Sequence, residues 1–213
     1  MDSASGNLKS ARNNEFQAVM PVRGKILNCQ KSTLDKIAKN AEIMTMIDAF
    51  GLKRDPKTMK LTYDKSDLRY GKLIIAADAD VDGAHIRNLF YTFIWNFCPQ
   101  LIEDGYVYSL VAPLYKITMG KDTYVYLKDD VELAEFQAKN KGKKYQVNRF
   151  KGLGEMSEDE TSILVDPEVR TLCQVTVSDV TAANVLFDQL MGTGVAPRKK
   201  FIQDHSKEAK YGD

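Results

Sequence analysis

The chain has 213 residues, which is one large domain or two small ones, because hydrophobic cores usually stop growing at about 100 to 200 residues. Hydrophobic residues make up 44% and charged residues 28%, a usage that argues against a disordered, collagen-like or disulfide-built chain. With 30 Lys and Arg against 29 Asp and Glu, the formal charge of +1 argues against coating of nucleic acid by bulk charge. Any polyanion site has to be local.

Residues 3–13 are small and polar and read as a first short helix or an ordered loop. The run QAVMPV at 17–22 reads as a short buried strand that delivers Arg23, Gly24 and Lys25 at its end. From 33 to 50, Leu34, Ile37, Ala38, Ala41, Ile43, Met44, Ile47 and Phe50 recur mostly at three- and four-residue spacings. That pattern predicts an amphipathic helix, broken near Asn40 and capped by Gly51. After a polar stretch, KLIIAA at 72–77 has the character of a buried parallel strand. Residues 84–103 have helical length, Pro99 kinks or restarts the helix, and Gly105 ends it. Residues 106–114 are β-branched and aromatic enough for another strand, and the alternation predicts an α/β parallel sheet.

The remainder changes character. Residues 124–127 and 145–150 read as short strands separated by an acidic segment and the basic loop 139–144, either extending the sheet or starting a small appendage. Ser157 followed by Glu160 fits a capping box, Thr176-Val177 before Ser178-Asp179 fits a strand and a helix start, and Gly192 fits a C-cap. Helices are predicted at about 157–165, 180–191 and 197–210. Cys29, Cys98 and Cys173 are odd in number and lack a CxxC pair, which argues against a disulfide framework or a zinc site and for a reducing cytoplasm. The apolar stretch 89–98 is about half the roughly 20 residues needed to span a bilayer, and the N-terminus lacks the pattern of a signal peptide.

Asp78, Asp80 and Asp82 alternate directly after the most strand-like run, at the sheet end where ligands bind. Carboxylates this close repel one another unless a hard cation neutralises them, and oxygen-only ligands suit Mg²⁺. The bland alternative is a solvated acidic turn favoured by a helix N-terminus. A calcium loop also begins DxDxDG, but its twelfth position, a bidentate Glu, is Leu89 here. His85 and Arg87 follow on the next helix, either bonding locally or orienting a phosphate.

In order along the chain, DSASG at 2–6, PVRGKILN at 21–28, AADADVDGAHIR at 76–87, APLYKI at 112–117 and RFKGLGEM at 149–156 resemble the Toprim and tail regions of the B subunits of bacterial type IIA topoisomerases, of the gyrase or topoisomerase IV kind. The resemblance implies a Toprim-like, Rossmann-type sheet flanked by helices over 1–117 and a mixed α+β tail over 118–213. It implies a DNA-cleavage half-site in which this chain supplies Mg²⁺ and a partner A subunit supplies the nucleophilic tyrosine, in an A2B2 heterotetramer in the cytoplasm. Asp78 and Asp80 would be metal ligands and Asp82 a more distant or alternate one. Lys25 and Asn28 match DNA-interacting positions, and Arg23 shares their motif. Lys151 would bring charge to a glycine-rich turn that organises the cleavage core, and His85 and Arg87 are further candidates for DNA. The parent enzyme would use ATP, for which this chain has no Walker A pattern.

The chain also departs from the family pattern. Met1 stands where members have the glycine of a Glu-Gly pair, so the first strand and a metal-binding glutamate are expected to be missing. Weak metal binding, inactivity of the isolated chain and origin as a piece of a larger enzyme follow as expectations. Ser5-Gly6 replaces a small Gly-Gly pair, and 157–165 is shorter than usual and lacks the common tryptophan. The competing reading is an inert module that binds DNA and the partner subunit. A third, a Mg²⁺-dependent Toprim nuclease or primase relative, is disfavoured by PVRGKILN and KGLGEM.

Overall fold

The computed structural model describes residues 3–121 and 123–208, an α/β chain. In chain order its first half contains α1 (Ser3–Ala11), α2 (Leu34–Ala38), α3 (Ala41–Phe50), β1 (Lys53–Arg54), β2 (Leu61–Thr62), β3 (Leu73–Ile75), α4 (Val81–Phe97), α5 (Gln100–Glu103) and β4 (Val107–Val111). The second half adds β5 (Tyr115–Thr118), β6 (Tyr124–Leu127), α6 (Asp130–Lys139), β7 (Gln146–Arg149), a single 3-10 turn (Leu153–Glu155), α7 (Glu158–Val165), β8 (Thr171–Gln174), α8 (Val180–Met191) and α9 (Val195–Asp204). These elements form two compact units with interleaved segments. One holds the chain up to Pro21, Ala76–Ala84 and Ser109–Cys173; the other holds Val22–Ile75, His85–Tyr108 and the chain from Gln174.

In the second unit the break near Asn40 is real and has a cause. The Asn40 carboxamide accepts the Ile43 N–H at 2.9 Å, capping α3 after the short α2. Gly51 ends α3 in the left-handed region at φ 86°, and a Cβ there would stand 2.5 Å from the Asp67 carbonyl oxygen. Pro99 separates α4 from α5, and Gly105 follows at φ 79°. Phe93, Ile94, Leu101 and Val107 are almost fully buried, while Ile37, Ile43 and Ile47 bury the apolar stripe of α2 and α3. Within this unit Leu73 N–H donates to the Tyr106 carbonyl and Val175 N–H to the Val107 carbonyl. The strand expected at 176–177 therefore lies earlier, at Thr171–Gln174, and the chain then turns to Asp179, which caps α8. Cys29 and Cys98 are buried free thiols, and burial pushes them up to about 12 and about 11.

In the first unit the appendage, not an extension of the main sheet, is what the tail begins with. Its strands follow the order β6-β5-β7, antiparallel throughout, with Ile117 opposite both Val125 and Val147. Tyr115, Ile117 and Leu127 are its buried centre, against which Leu133 and Phe136 of α6 pack. The acidic segment is thus helical: Asp129 caps it by accepting the Glu132 N–H, and carboxylates in a first turn complement the helix dipole. No strand forms at 17–22. Pro21 removes a ladder donor, and the Gln17 side chain instead donates to the Val165 carbonyl at 2.6 Å. Helix α1 packs on α7 and on the 3-10 turn.

The capping box at α7 is complete, Ser157 accepting from Glu160 N–H and the Glu160 carboxylate accepting from Ser157 N–H. Glu160 also accepts from Lys116 Nζ of β5 at 2.6 Å, both side chains being mostly buried. Burial alone raises the Glu160 carboxyl, but Lys116 and the Ser157 N–H outweigh it and leave the group below its ordinary value. A depressed acid stabilises the fold above the unfolded carboxylate range and loses that contribution as pH falls through its folded value. Ser157→Ala is expected to cost about 1 kcal/mol in urea unfolding. In Glu160→Gln the fall of stability below pH of about 5 should flatten relative to the parent chain. An acid limb of equal slope in both proteins would remove Glu160 from the account.

Candidate functional site

Within the first unit, segments far apart in sequence converge on one carboxylate. Half-buried Asp78 accepts the Leu153 N–H on Oδ1 at 2.8 Å. Two glycines make room for this arrangement. A Cβ on Gly152 would sit 3.0 to 3.2 Å from the Asp78 carboxylate atoms, and a Cβ on Gly83 would sit 2.1 Å from the Asp78 carbonyl oxygen. The glycine of DxDxDG is therefore demanded by the chain curling back over the start of α4, and the first glycine of KGLGEM by a side chain lying against its backbone. A small recess here is lined by Asp78, Ala112, Pro113, Phe150, Lys151 and Gly152. Asn7 of α1 donates to the Met156 carbonyl at 2.7 Å, tying the N-terminal segment to the same turn. Lys151 is exposed, and its N–H donates to the Glu155 carboxylate.

Asp80 is exposed and caps α4. Its Oδ1 accepts the Gly83 N–H at 2.7 Å, and its carbonyl accepts the Ala84 N–H at 3.0 Å. Helix α4 accordingly starts at Val81 rather than at Ala84, and Asp82 is exposed in its first turn. Among the described residues no three Asp, Glu, His or Cys side chains gather into a set able to hold a metal. The donors at this sequence are nevertheless all carboxylate oxygens, the kind a hard divalent cation takes. A carboxylate has about four acceptor sites, so the Gly83 N–H bond does not exhaust Asp80.

In the second unit Arg23 and Lys25 are exposed on either side of Gly24, whose φ of 76° is left-handed while open space surrounds its Cβ position. Glycine is needed there for backbone shape, not for close approach. Buried Ile26 and Cys29 anchor the following loop. Asn28 donates from Nδ2 to the Met191 carbonyl at 2.8 Å and accepts the Gln30 N–H on Oδ1 at 3.0 Å. His85 is exposed and Arg87 half-buried on α4, and residues two apart on a helix do not share a face, so they do not act as a pair. Leu153 N–H, Gly83 and Asn7 escaped the sequence reading; a glycine directly after three alternating carboxylates was the available signal for Gly83.

Comparison with known proteins adds two family matches. The Toprim domain matches residues 1–110, and the carboxyl terminus of the DNA gyrase B subunit matches residues 142–203. The chain is 44% identical over 210 residues to the DNA gyrase B subunit of Thermotoga maritima, covering 98% of the chain and 32% of that protein. It is 45% identical over 218 residues to the DNA gyrase B subunit of Streptomyces coelicolor, covering 100% and 31%. To the DNA topoisomerase 4 B subunit of Mycoplasma capricolum it is 44% identical over 207 residues, covering 97% and 31%. The chain thus spans about a third of the length of these relatives.

Asp78→Asn keeps an acceptor for the Leu153 N–H, whereas Asp78→Ala orphans that partly buried donor. In urea unfolding the Ala variant is expected to lose about 1 to 3 kcal/mol and the Asn variant less than about 1. Equal losses would mean that the hydrogen bond does not hold the turn.

Proposed function

Because the chain belongs to the Toprim family, in the lineage of the B subunits of bacterial type IIA topoisomerases, we propose that it supplies the Mg²⁺-dependent half of a DNA-cleavage site whose tyrosine comes from an A subunit. The observation that carries this reading is the convergence of the DxDxDG, APLYKI and KGLGEM segments on Asp78. In this proposal Asp78 and Asp80 hold the cation and Asp82 is an alternate ligand. Mg²⁺ commonly takes one or two carboxylates and completes its shell with water and phosphate oxygens, so a cage of three protein carboxylates is not required. When bound, the ion would supply Lewis-acid stabilisation of charge on the scissile phosphate and the leaving 3′ oxygen.

The chain's own residues have the remaining tasks. The Leu153 N–H fixes the direction of the Asp78 carboxylate, and Gly83 and Gly152 leave the space in which it sits. Arg23 and Lys25 neutralise phosphates at an exposed turn, with Asn28 in the same loop. Lys151, His85 and Arg87 are further phosphate partners in this reading. The working division is a Toprim region over 1–117 and a tail over 118–213, consistent with the two family matches. The parent enzyme would be an ATP-using A2B2 assembly in the cytoplasm, acting on DNA topology, and no helix among the described residues is long and apolar enough to cross a membrane.

A second reading, an inert module that binds DNA and the partner subunit, is favoured by one observation: the Asp80 carboxylate is already engaged as a helix cap. The two separate when the chain is mixed with an A subunit, supercoiled DNA and Mg²⁺, alone and extended upstream by a strand ending in Glu-Gly. Covalent protein–DNA cleavage complexes are expected with the extended chain and not with the chain alone. Absence of cleavage in both rejects the half-site. Lys25→Ala is expected to reduce the slope of log affinity against log salt by about 0.9, one phosphate's worth of counterion release. An unchanged slope would remove Lys25 from the DNA contact.

A further inference from the structure

Helix α8 does not end as helices with a terminal glycine usually do. Gly192 follows it at φ −70° and ψ −176°, outside the left-handed region, so the backbone does not fold back to satisfy the last carbonyls. A Cβ at Gly192 would lie 2.3 Å from the Asp188 carbonyl oxygen, which shows how sharply the chain leaves the helix. Two side chains take over the capping. Arg198 of α9 donates from Nε to the Leu190 carbonyl at 2.8 Å and from Nη2 to the Gly192 carbonyl at 2.6 Å. Between them, the Met191 carbonyl accepts from Nδ2 of Asn28 at 2.8 Å. Three consecutive carbonyls are thus held by one guanidinium and one carboxamide, and the cation stands at the negative end of the helix dipole.

The rest of α8 is fixed independently. Trp95 of α4 donates to Asn184 at 2.9 Å and stacks on Phe187 with ring centroids 5.9 Å apart. The C-terminus of α8 is therefore a post to which Asn28 ties the loop carrying Arg23 and Lys25, and Arg198 keeps the post in shape. From this geometry we infer that Arg198 is a positioning residue for the basic loop, acting through the Met191 carbonyl and Asn28 and touching no DNA itself. The inference rests on the DNA-binding reading of that loop. Without Arg198 the carbonyls of Leu190 and Gly192 lose their donor, the last turn frays, and the loop must be ordered when DNA arrives. That ordering subtracts from affinity.

The test uses the full chain, Arg198→Ala, Lys25→Ala and the double variant, with duplex DNA binding measured across a salt series and amide hydrogen exchange measured without DNA. Arg198→Ala is expected to weaken binding by about tenfold at fixed salt, equivalent to about 1.4 kcal/mol, with the salt slope unchanged. In the Lys25→Ala background the same change is expected to cost less than about twofold, because it acts through the loop that Lys25 occupies. Exchange at the amides of residues 24–31 is expected to speed up by more than tenfold, with α4 amides unaffected. A slope reduced by about 0.9 would make Arg198 a phosphate contact and overturn the inference, as would full additivity with Lys25→Ala. If Lys25→Ala leaves DNA binding untouched, the DNA reading of the loop has failed, and exchange at 24–31 still decides whether Arg198 orders it. Should Arg198→Ala not unfold cooperatively, Arg198→Gln, which keeps one donor, is expected to show the same pattern at about threefold, and no change at 24–31 in that variant overturns the inference.

Discussion

The hydrogen bond from the Leu153 N–H to Asp78 is the constraint on which the first unit depends. It is a single contact over 75 residues of chain, and the two glycines around it show how little freedom the surroundings leave. A side chain at Gly83 would strike the Asp78 backbone, and one at Gly152 would press on its carboxylate. The glycine-rich turn thus acts as a backbone cradle for an acidic side chain. What the cradle requires at position 78 is an acceptor for the Leu153 N–H, which an acid or an amide can supply.

The second unit solves a different problem with similar means. In the proposed reading its basic loop presents charge to DNA from a chain whose overall charge is close to zero, so the affinity would have to come from a few residues in a fixed place. Fixing a loop of exposed Arg23 and Lys25 takes anchors at its far side: buried Ile26 and Cys29, and the Asn28 amide bonded at both ends. Asn28 has one of its amide N–H groups and its oxygen engaged on the protein, so in the proposed reading it supports the shape of the loop.

Much of this was legible in the sequence, and the reasons are local. Asn40 and Ser157-Glu160 are capping signals whose geometry needs only three or four neighbouring residues, and both occur as read. The motifs that carry the resemblance also mark where the chain meets itself. What was not legible depends on distant partners. The apolar run 17–22 has strand character, but Pro21 lacks an N–H to donate, and the Gln17 backbone N–H and carbonyl are taken by the Asn13 carbonyl and the Arg12 side chain. The acidic segment before the basic loop reads only as a separator, although Asp129 ahead of Asp130 and Glu132 is a helix start, because a helix with so polar a surface needs the sheet of β5, β6 and β7 to bury Leu133 and Phe136. The role of Arg198 was invisible for the same reason, since nothing nearby in sequence shows that the end of α8 lacks its usual glycine turn.

Asp80 is where structural and chemical demands meet. As the cap of α4 it orients one oxygen toward the Gly83 N–H, and this costs it one of about four acceptor directions. A helix N-terminus carries roughly half a positive charge, which opposes a cation placed there. The carboxylates of Asp78, Asp80 and Asp82 have to outweigh that field before any divalent ion gains from the site. The cap therefore does not forbid a metal in the proposed reading; it sets an electrostatic threshold that the three carboxylates have to exceed and that a scissile phosphate, arriving with its own negative oxygens, would help to exceed. In the proposed reading, ion and DNA would therefore bind with positive coupling, each raising the other's affinity by the same factor.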